Sequence, residues 1–345
     1  MSYAEDEGIW GLRRIEVEAR EIIDHGLGQG RSRIDPETLA WGEEPVADLR
    51  YRIVDNANMG EGTFLEKLQE QLGGAPRPTV LLAAELLALQ ELPLGNLSGH
   101  TKLERVRTVL GWLDAPVEMP DDTREALDGP GTFNGGMAFN VQLWQQLGWL
   151  LDFLVHWWEQ DDDRRARALH DPWAFHEIVD EPASGQVAIR NSLLYLAFPR
   201  TFMPIVSQDH KVAIRNAFAS VIGGPSGDGP TAIDRDLLEI HRRQCERATV
   251  EVIHYYREPY HSQWAKNKPR GDGSPRAWLV RSRLGGADLV GRWRETGFVS
   301  LAGTHLGEIA PGANRRAISD AVEQGYQHLD YPQRLRLATE YHQFL

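Results

Sequence analysis

Apolar residues recur at three- and four-residue intervals through most of the first 250 positions. Phe64, Leu65, Leu68 and Leu72 form one such stripe, the spacing that aligns side chains on one helix face. Val80 to Leu92 is apolar nearly all round and predicts a helix buried on every side. Thr101 to Leu113, Val141 to Glu159, Gln186 to Ala197, Gln208 to Val221 and Asp234 to Arg247 continue the helical period, and Ile9 to Asp24 opens it. Asp161-Asp-Asp163 predicts a further helix start, because carboxylates accept from the first free N–H groups and favour the dipole. Pro116 to Gly136 and Gly223 to Pro230 read as loops on their Gly and Pro content. Gly26-Leu-Gly-Gln-Gly30 reads as a helix stop and loop, followed by a polar stretch around Trp41. Its third glycine falls one residue early for a dinucleotide turn, and no strand precedes it.

Beyond Trp264 the pattern changes. Ala265 to Pro275 has no large apolar residue and mixes charge with Pro and Gly, as a linker does. Trp278 and Val280 then alternate with Leu279 and Arg281 in a short strand. Gly285-Gly286 predicts a turn, Asp288 the cap of a short helix through Thr296, and Phe298 to Leu301 a second strand. Ala313 to Glu323 and Pro332 to Phe344 are helical in pattern. The expected fold is therefore a mainly α N-terminal domain followed by a small α+β piece. Residues 1–62 form an N-terminal extension, 63–264 a helical module, 265–275 a linker and 276–345 the last piece. No 34- or 40-residue repeat marks a solenoid.

Composition sets bounds on this picture. A chain of 345 residues, 41% hydrophobic, can build the cores of two domains. The net charge of −13 is unevenly spread. Ala265 to Leu345 carries twelve Lys and Arg against eight Asp and Glu, a net +4, whereas Met1 to Trp264 holds 25 basic and 42 acidic residues, a net −17. An acidic body repels a polyanion and a basic tail accepts one. The single cysteine, Cys245, excludes an intrachain disulfide and a thiolate-rich zinc site, and fits a reducing, cytoplasmic location. The acidic Met1 to Gly8 has no signal-peptide pattern. The most apolar stretch, Val141 to Trp158, is interrupted by Gln142, Gln145, Gln146, Asp152 and His156, so no membrane span is expected.

Catalytic motifs are missing from the sequence. Gly95 to Lys102 does not make a phosphate loop, because its nearest glycine, Gly99, is three residues before the lysine and Thr101 precedes rather than follows it. Ser226 lacks the spacing of a nucleophile elbow, and no His-Glu-x-x-His occurs. His170-Asp171 and Asp209-His210 are candidate acid–base pairs. His241 and Cys245, four apart with His254 beyond, are a candidate metal pair without an evident fourth ligand. Trp144, Trp149, Trp157 and Trp158 sit at helical spacing and read as core. No cofactor or metal is expected, and no enzymatic activity.

Several pieces in order carry a family resemblance. Phe64-Leu-Glu-Lys-Leu-Gln-Glu-Gln-Leu72, Ala83-Ala-Glu-Leu-Leu87, Asp171-Pro-Trp-Ala-Phe175, Phe198-Pro-Arg-Thr-Phe-Met-Pro-Ile-Val-Ser207 with His210-Lys211, and Asp234-Arg-Asp-Leu-Leu238 resemble the N-terminal helical module of McrB-like restriction ATPases. Tyr256 and Trp264 fall where that module ends. The region from Ala277 onward is similar to the first half of an EVE-like domain of the PUA superfamily, a partial β-barrel that would need further strands beyond Leu345. The resemblance implies a reader of modified bases in DNA, working with an AAA-type motor and a nuclease subunit. Such a reader stacks a flipped base on aromatic walls and holds the backbone with cations. By this resemblance Trp278 and Phe298 would stack, Arg281, Arg283, Arg292 and Arg294 would contact phosphate, and Ser300 would begin the pocket wall. Trp278 and Phe298 serve equally well as barrel core, and the arginines as solvated surface. Unpaired strand edges in a partial barrel also favour a homo-oligomer.

Three functions follow as expectations. The first is a non-catalytic specificity and scaffold component of a McrB-like antiviral restriction system that binds modified DNA through its C-terminal piece. The second is an adaptor whose acidic body binds protein and touches no nucleic acid. The third is a hydrolase using His170-Asp171 or Asp209-His210.

Overall fold

A computed structural model describes residues 14–58, 60–136, 139, 142–182, 186–265, 283–284, 287–288, 315–328, 334 and 337. The chain divides into two compact units, Met1–Pro269 and Arg270–Leu345. Among the described residues it is mainly helical.

The first unit opens with α1 (14–23), which widens into a π-helical turn at Asp24–Gly28. The glycine run sets this geometry. A Cβ on Gly26 would lie 2.4 Å from the buried Trp41 ring, so only glycine lets the indole lie flat against the turn. Gly30 then takes φ +69°, in the left-handed region that favours glycine, and the helix ends. The polar stretch after Trp41, not read as helical from the sequence, contains α2 (Glu43–Arg50) and a second π turn, Tyr51–Asp55.

α3 (Phe64–Leu72) follows the expected stripe. Thr63 accepts from the Glu66 N–H while the Glu66 carboxylate accepts from the Thr63 N–H, a capping box. α4 (Arg77–Glu91) is buried at every position from Thr79 to Glu91, as its all-round apolar pattern requires. α5 (Gly99–Leu110) packs beside it. The stretch Pro116 to Gly136, expected to be loop, holds α6 (Asp121–Asp128). There Pro120, Asp121, Asp122 and Gly129 are the start and stop of a short helix rather than loop punctuation.

α7 (Leu143–Glu159) supplies aromatic core: Trp149 stacks on Phe153 at 5.8 Å, and Phe153 and Trp157 both meet Phe175 edge-on. α8 (Asp162–Ala168) starts where expected, with Asp161 accepting from the Arg164 N–H. Then come α9 (Pro172–Asp180), α10 (Val187–Ala197), α11 (Gln208–Phe218) with a 3-10 turn at Ala219–Ile222, α12 (Pro230–Ala248) and α13 (His261–Ala265).

Two apolar cores result. The first takes in α1 to α10, so residues 14–58 are built into it. The second is smaller and gathers Met203, Ile205, Ile214, Phe218, Ile233, Leu237, Ile240, Ile253, Tyr255 and Trp264.

Buried polar groups tie the first core to its loops. Glu85, wholly buried on α4, accepts hydrogen bonds from the Ser32 hydroxyl, the Ile34 N–H at 2.8 Å and the Trp41 indole N–H. Burial raises its carboxyl above the ordinary range against the pull of these donors. Lys102 donates to the carbonyls of Leu92 at 3.3 Å and Gly129 at 2.9 Å, beside the C-terminal ends of α4 and α6, where a cation suits the helix dipole. Glu91 accepts from Arg105 at 2.6 Å.

Burial lifts Glu91 to about 7 and lowers Lys102 to about 8. These shifts predict a stability minimum between the two values. The folded state binds the Glu91 proton more tightly than the unfolded chain, so this contribution is complete below about 4.5 and is lost as pH rises through about 7. Folded Lys102 releases its proton first, so stability rises again between about 8 and 10.5. Urea denaturation across pH should show this trough, and Glu91→Gln should flatten its acid side.

In the second unit, β1 (Arg283–Leu284) pairs antiparallel with β2 (Ala287–Asp288), Arg283 opposite Asp288 and Leu284 opposite Ala287. Asp288 was expected to cap a helix and instead lies in a strand, where it pairs with Arg283 across the ladder. α14 (Arg315–Gly325) falls within two residues of the expected Ala313 to Glu323 and buries Ile318 and Val322, one turn apart, with Tyr326 one turn further on. The expected strands at Trp278 to Val280 and Phe298 to Leu301 lie outside the described residues. No helix among the described residues is long and apolar enough to cross a membrane.

Candidate functional site

Six of the seven residues expected to contact nucleic acid, Trp278, Arg281, Arg292, Arg294, Phe298 and Ser300, lie outside the described residues. Arg283 lies in β1. The described residues bring together a different set, drawn largely from three of the separate pieces on which the family resemblance rests.

α9 begins the arrangement. Asp171 caps it, accepting from the N–H groups of Trp173 at 2.9 Å and Ala174 at 3.3 Å, and Pro172 follows in the first turn. The Ala174 and Trp173 N–H groups hold the Asp171 carboxyl below its ordinary range. Phe175 then packs into the first core against Phe153, Trp157 and Phe198. Trp173 meets Phe202 edge-on at 5.4 Å and lies under the Arg235 guanidinium of α12 at 4.1 Å.

The strap between α10 and α11 serves both cores. Phe202 and Val206 belong to the first, Met203 and Ile205 to the second. Asn191 in α10 fixes it by donating to the Val206 carbonyl at 3.0 Å. Ser207 ends the strap and caps α11, accepting from the His210 N–H.

Lys211, one turn into α11, is 1% exposed and donates to Asn191 Oδ1 at 3.0 Å and to Asp234 of α12 at 2.9 Å. His176 stands between two carboxylates, its Nε2 3.4 Å from Asp234 and its Nδ1 3.4 Å from Asp180, which also contacts Arg190 at 2.9 Å. Burial pushes the Lys211 ammonium down, with Asp234 opposing. Burial alone would raise Asp234, but Lys211 and His176 outweigh it and hold the carboxyl low. A second cluster lies by the end of this unit: His210 Nδ1 is 3.0 Å from the Tyr256 hydroxyl, and its ring is 5.0 Å from Trp264. The Trp264 indole donates to the Tyr255 carbonyl at 2.6 Å.

The candidate chemical pairs are committed elsewhere. Asp171 is engaged by its own helix, with His170 exposed beside it. Asp209 is exposed and His210 is engaged by Tyr256. His241 Nε2 and Cys245 Sγ are 3.4 Å apart; burial raises the thiol and lowers the imidazole. Among the described residues no group of three His, Cys, Asp or Glu side chains can hold a metal. A surface cleft of about 330 Å³ lies between Asp163, Arg164, Arg167, Ala174 and Glu177, none of which belongs to the seam.

The sequence reading missed His176, Asn191 and Arg190, and gave Arg235, within the piece Asp234 to Leu238, no role of its own. One signal was available: Arg190, Asn191 and Ser192 interrupt an otherwise apolar helix, and polar residues inside such a run are held by buried partners. No protein-family profile, no curated protein and no solved structure matches the chain.

Proposed function

We propose that the chain is a non-catalytic specificity and scaffold component of a McrB-like modification-dependent restriction system. Its C-terminal unit carries an EVE-like piece that reads a modified base in DNA. Its helical unit is the scaffold for an AAA-type motor and a nuclease subunit. The observation that carries this reading is the meeting of dispersed motif pieces: Trp173, Phe202, Lys211 and Asp234 come from three stretches of sequence and close one seam. The charge split supports a polyanion partner for the C-terminal residues, since +4 there stands against −17 before them.

The adaptor reading draws on the same −17 body, which suits a protein partner better than DNA. Truncation separates the two. A chain ending at Ala265 is expected to lose salt-dependent DNA binding while it still recovers a motor or nuclease subunit in pull-downs. DNA binding that survives this truncation unchanged rules out the reader assignment.

A further inference from the structure

The helical unit holds two apolar cores, yet the seam between them is polar. Beside the strap Phe202 to Val206, polar side chains link the two cores. Arg235 covers Trp173, Thr231 Oγ1 stands 3.4 Å from His176 Nδ1, Asp234 stands 3.4 Å from His176 Nε2, and Lys211 donates to Asn191. On the first core's side of the seam the Arg190 guanidinium, close enough to act on Lys211, leaves its buried Nε without a hydrogen-bond partner among the described residues. Such an atom costs roughly 1–3 kcal/mol of desolvation without return. On either side, the cores close on apolar side chains such as Leu82, Leu87 and Leu151, or Ile214 and Ile240, all 0% exposed. Local opening begins where net stabilisation is least.

We propose that the second core, α11 to α13, is a separately opening unit, docked on the first through the His176–Asp234–Lys211–Asn191 chain. Opening breaks these polar links, draws Met203 and Ile205 away with the second core, and leaves the first core closed by its own helices. The polypeptide leaves the second core at Ala265, shortly before the second compact unit begins at Arg270. The device thus sits at the joint in the chain between scaffold and C-terminal unit, and it stands whether or not the latter reads DNA.

Native-state hydrogen exchange on the full chain, at rising sub-denaturing urea, tests this. Amides of α11 and α12 should share one opening free energy below that of α4 and α7. Leu151→Ala, a cavity confined to the first core, should accelerate exchange in α4 and α7 by about 10²–10³-fold and leave α11 and α12 within about twofold. Asn191→Ala should accelerate α11 and α12 by about tenfold or more. One common free energy for all these helices overturns the proposal, as does equal acceleration of both sets by Leu151→Ala. Unchanged exchange in Asn191→Ala overturns the role given to the seam.

Discussion

Glu85→Ala is expected to cost the helical unit about 4 kcal/mol of stability. The carboxylate sits on α4 with no exposed surface and accepts from Ser32, Ile34 and Trp41. Its removal leaves two buried donors, the Ser32 hydroxyl and the Trp41 indole N–H, without this acceptor at roughly 1–3 kcal/mol each, loosens the Ile34 N–H, which keeps only Ser32 Oγ at 3.1 Å, and adds a cavity. The sum is about 4 kcal/mol, against roughly 5–15 kcal/mol for a whole domain. Glu85→Gln keeps the shape and one accepting oxygen but turns its amide N–H₂ towards an N–H donor of Ile34 or Trp41. It should cost about half as much. Urea denaturation read by tryptophan fluorescence measures both, and the emission of Trp41 should shift with the loop. A loss below about 1 kcal/mol in Glu85→Ala would show that the loop 30–42 does not depend on this anchor.

Lys211→Met is the second large effect. It leaves Asp234, 4% exposed, as a buried carboxylate with only His176 beside it. Breaking a buried pair from one side costs about 3–5 kcal/mol. Converting both partners, Lys211→Met with Asp234→Leu, removes the stranded charge and should recover more than half of the loss. Two single variants and the double variant form a complete cycle. A double variant no more stable than Lys211→Met would mean that the shapes of these side chains, rather than their charges, hold the seam.

The legibility of this chain in its sequence divides along physical lines. Helices with strong apolar stripes, α3, α4, α7, α10 and α11, follow from periodicity because their burial is one-sided or complete. α6 and α9 escaped because each is short and its signal lies in its caps: Pro120 with Gly129, and Asp171 with Pro172. Both had been taken for loop or left unassigned, since Pro and Gly at helix ends resemble turn punctuation. α2 escaped because only Val46 and Leu49 of its eight residues are buried, too few to show a period.

The seam was legible only in part. Trp173, Lys211 and Asp234 stood within pieces singled out for their family resemblance, but nothing local pairs residue 211 with 234 or 176 with 234. Such pairings depend on how the helices cross, which spacing along one helix does not encode. The glycine run Gly26 to Gly30, expected as a helix stop and loop, carries a π-helical turn through Gly28, and only Gly30, at φ +69°, ends the helix. The fit of Trp41 against Gly26 needed the fold.

On the proposed function, this chain selects modified DNA. Fluorescence-anisotropy titration of the intact chain with short duplexes, unmodified or carrying methylated or hydroxymethylated cytosine, at two salt concentrations, tests it most directly. Tighter binding to one modified duplex is expected, with affinity that falls as salt rises. Absence of binding to every duplex at low salt would contradict it and leave the acidic helical unit as a protein-binding adaptor.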